Sequence, residues 1–554
     1  MNEVVIKNKH PKGLGVLFTT EMWERFNFYG MRTLLTLFLA NALLMGEKES
    51  SIIYGGFLGL SYLTPMLGGY VADRFLGNRN CILLGGLTMA IGQLLLFTSA
   101  NTFNSNLDLS KTIMWAALCV LILGNGFFKP NISSMVGQLY PKEEKSKLDS
   151  AFTIFYMGIN VGALLGQTIC PLLGDVKHDG IRDLTAFKWG FLAAGAAMLI
   201  GCIVFFILKN KYIVTPEGKP IGAKPNKHEV LEDESSKAKF SQRSILLALC
   251  FLTGCILLFY YVFGQNVIYS IIYASGLTLA GFILSDQTLT KIERQRIIVL
   301  YIVAFFVIFF WAAFEQAGSS LTFIADNQTD TRLFGWTMPP SMVQNFNGFF
   351  VIIFALPFSA LWLWLQKQKM EPISPIKQAI GLALIAVGYF IIAWQVKDLG
   401  TAGKLGVIWL IVLYLLHTFG ELCLSPIGLS LVAKLAPKRF SSLLMGVWFL
   451  SNASGYALAG TLGALLPPTN DKFVKAAEHN IDLQSILSEK IKPTLAQLKI
   501  LAQEKISTTY PKFAGFTIHN LYEFFMVFVI LSGAAALLLL SLSKLLTRMM
   551  HGVK

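Results

Sequence analysis

Long apolar runs constrain this sequence more than any other feature. A helix rises about 1.5 Å per residue, so about 20 apolar residues cross a hydrocarbon core roughly 30 Å thick. Runs of that kind recur at approximately 13–44, 51–72, 81–100, 112–140, 150–174, 187–208, 244–263, 267–290, 297–323, 341–366, 376–396, 405–434, 441–466 and 518–542. Only 14% of the 554 residues are charged, and 54% are hydrophobic. A soluble domain carries about 25% charge. The expectation is an all-α membrane protein with fourteen transmembrane helices and both termini on one side.

The net charge of +14 would otherwise suggest nucleic acid, but Lys and Arg form no polar module. They sit in loops, and the loops on the N-terminal side hold 28 of the 46 basic residues. Cytoplasmic loops are enriched in Lys and Arg, so the termini are expected to be cytoplasmic, in a multi-pass protein of the cytoplasmic (inner) membrane. Lys7, Lys9 and Lys12 before a long first span resemble a start-transfer helix rather than a cleavable signal. The seven cysteines fall in apolar spans without a CxxC pair and read as small core residues.

Two polar stretches divide the chain. Residues 209–243, with Pro216, Gly218, Pro220, Pro225 and Glu232-Asp233-Glu234, read as a cytoplasmic linker. Spans 244–263 and 267–290, joined at Gly264-Gln265-Asn266, read as a helical hairpin. The expected organisation is a six-helix bundle (1–208), the linker, the hairpin (244–290) and a second six-helix bundle (291–554). The last contains an extracytoplasmic segment, 467–517, with helix-forming stretches at Leu483–Leu487 and Leu495–Glu504 and no readable role.

A charge at the bilayer centre costs about 2.5–3.5 kcal/mol on insertion scales. The first span nevertheless carries Glu21, Glu24, Arg25 and Arg32, which share one helical arc with Tyr29. Glu21 lies four residues before Arg25, the favourable order for an intrahelical pair. Lys129, Glu315 and Glu421 are further charges inside apolar spans. Intramembrane ionisable groups usually mark a pathway, and carboxylates beside cations suit a proton-coupled switch. His417 and Glu421 stand one turn apart, but without further ligands His417 reads as a packed polar residue. No phosphate loop, dinucleotide fingerprint or metalloprotease helix is found, so no metal and no cofactor are expected.

Several motifs carry a resemblance. Gly69-Tyr70-Val71-Ala72-Asp73-Arg74-Phe75-Leu76-Gly77-Asn78-Arg79 is similar to the loop between helices two and three of the major facilitator superfamily. Glu21-Met22-Trp23-Glu24-Arg25-Phe26 with Tyr29-Gly30-Met31-Arg32 resembles the ExxERF…YGMR signature of proton-dependent oligopeptide transporters. Phe155-Tyr156-Met157-Gly158-Ile159-Asn160-Val161-Gly162 resembles that family's FYxxINxG signature. Phe314-Glu315-Gln316, Gly420-Glu421-Leu422 with Ser425-Pro426, and Trp448-Phe449-Leu450-Ser451-Asn452 match its patterns in the second half.

The resemblance implies a major facilitator fold of two six-helix bundles with an inserted two-helix hairpin. It also implies proton-driven symport of di- and tripeptides by alternating access, no enzymatic activity, no cofactor beyond the proton gradient, and a monomer in the bilayer with no nucleic-acid partner. By the same resemblance Arg25, Lys129, Tyr29 and Tyr62 meet the peptide carboxylate, while Glu421 and Asn347 hold its amine. Asn160 touches the peptide backbone, and Phe155, Trp448 and Ser451 line a side-chain pocket. Glu21, Glu24 and Glu315, with Arg25, form the proton-coupling set, and Arg32–Glu315 and Lys129–Glu421 are the implied gating pairs. The chain departs from the pattern at Phe28, where many members have Tyr, and at Gly348, where Pro is common, which leaves Asn345 as an alternative to Asn347. A carrier for another zwitterion or anion, such as nitrate, is the competing reading; nitrate has no amine for Glu421. A peptide sensor would call for an added signalling domain, and an intramembrane enzyme for a nucleophile–base pair; neither is evident.

Overall fold

The computed structural model describes residues 10–140, 148–178, 180–215, 218–224, 240–400 and 403–553. The chain divides into two compact units, Met1–Leu34 with Leu63–Ser236, and Leu35–Tyr62 with Lys237–Lys554. Eleven helices among the described residues are long and apolar enough to cross a membrane. The other three expected spans are helical as well. They are α1 (Lys12–Leu37), which carries the four charges, α2 (Gly46–Leu63) continued by α3 (Pro65–Val71), and α15 (Ser441–Gly463).

The first unit is built on α1 with α4 (Asn78–Thr102), α5 (Leu107–Gln138), α6 (Leu148–Gly174) and α7 (Phe187–Tyr212). Apolar burial does not drive helices together in lipid; small residues that let backbones approach do. A Cβ on Gly85 of α4 would stand 2.6 Å from the Gly124 carbonyl of α5. The Gly69–Arg79 motif has a structural task. Gly77 turns the chain with φ +74°, a conformation that glycine adopts without strain. Arg79 then donates to the Ile221 carbonyl at 2.6 Å, to Asn210 Oδ1 at 2.9 Å, and to the Lys209 and Ile213 carbonyls. It thereby fastens the chain after α7, where Val214 and Pro220 also bridge. Pro216, Pro225 and the acidic run 232–234 of the expected linker lie outside the described residues.

In the second unit the hairpin helices are α8 (Gln242–Leu257) and α9 (Val267–Leu284). Cys255 is the single buried residue of α8. The hairpin holds on through α9, whose Tyr269 and Ile272 pack on Ala453 and Ala457 of α15. The remaining helices are α10 (Lys291–Phe314), α11 (Ser320–Asn327), α12 (Asn345–Lys367), α13 (Ser374–Val396), α14 (Val407–Leu435), three short helices, and α19 (Leu521–Met549). Tyr389 of α13 stacks on Phe528 of α19 at 4.7 Å in their shared core.

α10 opens on a capping box in which the Glu293 amide donates to Thr290 Oγ1 and Glu293 Oε2 accepts from the Thr290 amide at 2.9 Å. Arg439 adds a contact to the same carboxylate at 3.1 Å. Thr290→Ala is expected to cost about 1 kcal/mol, read as a lower Tm in detergent.

Two expectations need correction. The 297–323 span is not one helix, because α10 gives way at Glu315–Gly318 to a tighter turn before α11. The segment 467–517 is helical where expected, at α17 (Leu483–Leu487) and α18 (Leu495–Gln503), and adds α16 (Asn470–Glu478) around its own core of Ile481, Leu483, Ile486, Leu487 and Leu501. The cysteines are all free, but Cys119 and Cys250 are exposed rather than core residues. Lipid tails are as apolar as a core, so an apolar run does not tell an inward face from an outward one.

Candidate functional site

α1 carries its charges into the interior of the first unit. Glu21 and Glu24 are fully buried, and Arg25 and Arg32 are nearly so. The Arg25 guanidinium donates from Nε to Glu21 Oε1 at 2.7 Å, and its Nη2 lies 2.7 Å from the same oxygen. Arg25 Nε is also 3.1 Å from Glu24 Oε2, yet neither Glu24 oxygen nor Glu21 Oε2 makes a hydrogen bond with a described residue. Lys129, half-buried on α5, lies within Coulombic range of Glu24. Two acids and two bases thus share one interior region, where a lone charge would be very costly. Arg32 stands over the Tyr29 ring at 5.1 Å, a cation–π contact, and Phe28 meets Tyr29 edge-on.

The FYxxINxG signature on α6 explains how α1 is held. Gly158, Gly162 and Gly166 of α6 recur every four residues and face Phe18, Met22 and Phe26 of α1. A Cβ on Gly162 would fall on the Met22 carbonyl oxygen and 2.9 Å from the Arg25 Cβ. Gly162→Ala is therefore expected to push Arg25 out of place and cost about 1–3 kcal/mol, read as a lower Tm in detergent. On the same helix Phe155 is buried, and half-buried Asn160 donates to the Tyr156 carbonyl at 2.9 Å.

The second unit, taken by itself, holds three groups of interest. In the break after α10, Glu315 is 3% exposed and accepts at Oε2 from the Tyr54 hydroxyl of α2 at 3.1 Å. A Cβ on Gly318 would land on that hydroxyl. Gln316 secures the break, its Nε2 donating to the Ala312 and Ala459 carbonyls, both at 2.9 Å. Next, Asn347 Nδ2 donates to Glu421 Oε2 at 2.9 Å and to Thr418 Oγ1 at 3.0 Å, so Asn347 orients the Glu421 carboxylate. Finally, Trp448 lies against Gly428, Ser451 donates to the Trp448 carbonyl at 2.7 Å, and Tyr62 meets Tyr456 at 4.7 Å. His417 is enclosed by Phe314, Tyr389 and Tyr414, and neither ring nitrogen has a hydrogen-bond partner among the described residues.

A sequence profile of the POT family matches residues 79–229 and 279–477, more than half of the chain. The chain belongs to the POT family. Membership makes it a multi-pass membrane transporter of the oligopeptide-transporter family that its motifs resemble. The peptide transporter YePEPT of Yersinia enterocolitica is 32% identical over 473 residues, covering 82% of this chain and 88% of its own. Dipeptide and tripeptide permease B of Aliivibrio fischeri is 29% identical, covering 83% and 86%. A crystal structure of a POT family transporter in complex with 5-aminolevulinic acid superposes with a TM-score of 0.71 at 28% identity, covering 97% of each chain. The major facilitator fold expected from the motifs is thereby shown.

Among the residues that hold Glu315, the break after α10 and Asn347, Tyr54, Gln316 and Thr418 were not singled out by sequence. Each is an uncharged polar residue whose partner lies on another helix or one turn away. Only Gln316 sat within a quoted motif.

Proposed function

We propose that this chain is a proton-coupled symporter that imports di- and tripeptides by alternating access. The observation that carries the reading is the balanced set on α1 and α5, with two carboxylates, Glu21 and Glu24, against Arg25 and Lys129. A proton on Glu24 leaves one cation in excess, and a peptide carboxylate then restores neutrality. Proton and cargo therefore favour each other's binding. Tyr29 and Tyr62 add hydroxyls for the carboxylate, and Asn160 serves the peptide backbone. Glu421, oriented by Asn347, takes the free amine, while Phe155, Trp448 and Ser451 surround the variable side chains.

Arg32–Glu315 and Lys129–Glu421 are the pairs that exchange as the transporter alternates, and release of the Glu315 proton accompanies the inward step. The proton gradient supplies the energy, and no cofactor or metal takes part. The protein works as a monomer in the cytoplasmic membrane with both termini in the cytoplasm.

The test uses purified protein in liposomes, labelled dialanine and an inward proton gradient. Concentrative uptake abolished by a protonophore is expected. Uptake indifferent to the protonophore would overturn proton coupling, and no uptake of any di- or tripeptide would overturn the substrate class. A relative in this family binds 5-aminolevulinic acid, which also carries an amine and a carboxylate, so that compound belongs in the same assay as a competitor.

A further inference from the structure

The segment 467–517 has a fold of its own and a polar attachment to the start of α2. Lys472 of α16 lies 3.3 Å from Glu47 Oε1, which also accepts from Asn327 Nδ2 at 2.8 Å. The same ammonium meets Asp471 Oδ2 at 2.7 Å, and Thr469 Oγ1 donates to Asp471 Oδ1 at 2.6 Å. One residue along, the Asn470 amide donates to Gln328 Oε1 at 3.0 Å. Gly46 brings the backbone close, since a Cβ there would stand 3.1 Å from the Lys505 Cβ. The side chains of Glu47 and Lys472 are only 13% and 16% exposed, so water screens the pair weakly.

Glu47 faces Lys472 and two further acids, Asp471 and Asp326. Burial, with those acids adding to it, lifts the Glu47 carboxyl above its usual range, while the two carboxylates beside Lys472 strengthen its hold on its proton. Lys472 therefore stands between the Glu47 and Asp471 carboxylates, and without it their repulsion acts on the first turn of α2. Seven residues separate Glu47 from Tyr54 on α2, about two turns and one face of the helix. Tyr54 is the residue that donates to Glu315, with Gly318 leaving room for its ring.

We infer that Lys472, carried by the 467–517 segment, is a positioning residue for Glu315: it ties down the start of α2 through Glu47, and α2 in turn seats Tyr54 on Glu315. This rests on the reading of Glu315 as a proton-coupling group. A displaced α2 leaves Glu315 without its hydroxyl donor, which disturbs the step that needs net proton release. Counterflow exchange returns proton and peptide together and does not need that step.

The test compares gradient-driven uptake of labelled dialanine with counterflow exchange in liposomes containing the full chain. Lys472→Met is expected to lower gradient-driven uptake about tenfold while exchange stays within about twofold. Tyr54→Phe should give the same split, the double variant should be no worse than either single one, and Lys472→Arg should recover most of the loss. Glu47→Gln provides a second entry to the same contact should Lys472→Met fold poorly. Equal loss of uptake and exchange, additive effects with Tyr54→Phe, or wild-type behaviour in both Lys472→Met and Glu47→Gln would overturn the inference. A wild-type protein that shows exchange but no gradient-driven uptake would overturn the coupling reading instead.

Discussion

Glu24→Gln is expected to abolish concentrative uptake, lowering gradient-driven transport by about a hundredfold or more, while leaving counterflow exchange within about twofold. Glutamine keeps the size of the side chain and resembles the protonated acid, with one oxygen acceptor and an N–H donor. In the wild-type protein Glu24 is fully buried, its oxygens accept no hydrogen bond from a described residue, and Arg25 stands 3.1 Å away. The substitution therefore fixes the charge state that favours the peptide carboxylate and removes the state that releases it. The site still binds and still exchanges, but it no longer couples the two fluxes. Retained concentrative uptake in Glu24→Gln would take Glu24 out of the coupling set. A parallel fall in uptake, exchange and Tm would show that the charge served packing alone.

The legible part of this site is the part where a residue type contradicts its surroundings. Four charges in one apolar run are conspicuous because each is costly there, and the Glu21–Arg25 spacing foretold the 2.7 Å contact. Helix positions were legible for a related reason, since hydrocarbon thickness fixes their length. The Tyr54–Glu315 bond was not legible, because its partners are 261 positions apart and a tyrosine in an apolar helix needs no explanation. Nor was the break at Glu315–Gly318, which contains no proline; it is held by Gln316 and by the Tyr389 hydroxyl, which donates to the Ala313 carbonyl at 2.7 Å. The polar helix α16 lay inside a segment whose role could not be read, and its Lys472 gains meaning only beside Glu47. Arg79 belonged to a recognised loop motif, but the carbonyls it satisfies come from the chain after α7. Local pattern thus reveals costly residues, and the three-dimensional structure reveals what compensates them.

Glu421→Gln is expected to weaken peptides with a free amine about tenfold or more and to leave N-acetylated peptides within about twofold. The contrast arises because the substitution removes charge while leaving an oxygen for Asn347 Nδ2, which now donates to Glu421 Oε2 at 2.9 Å. Asn347 stays tied to Thr418 Oγ1 at 3.0 Å, and Thr418 donates in turn to the Tyr414 carbonyl at 2.8 Å, so the local scaffold survives. What disappears is the charge-assisted bond to a peptide ammonium, which is roughly twice as strong as a neutral one. An acetylated peptide has no ammonium and so does not register that loss. Competition of dialanine and N-acetyl-dialanine against labelled dialanine uptake gives both values from one preparation. Equal weakening of the two peptides would show that Glu421 does not read the amine. A selective effect would place the amine at Glu421 and leave the carboxylate for Arg25 and Lys129.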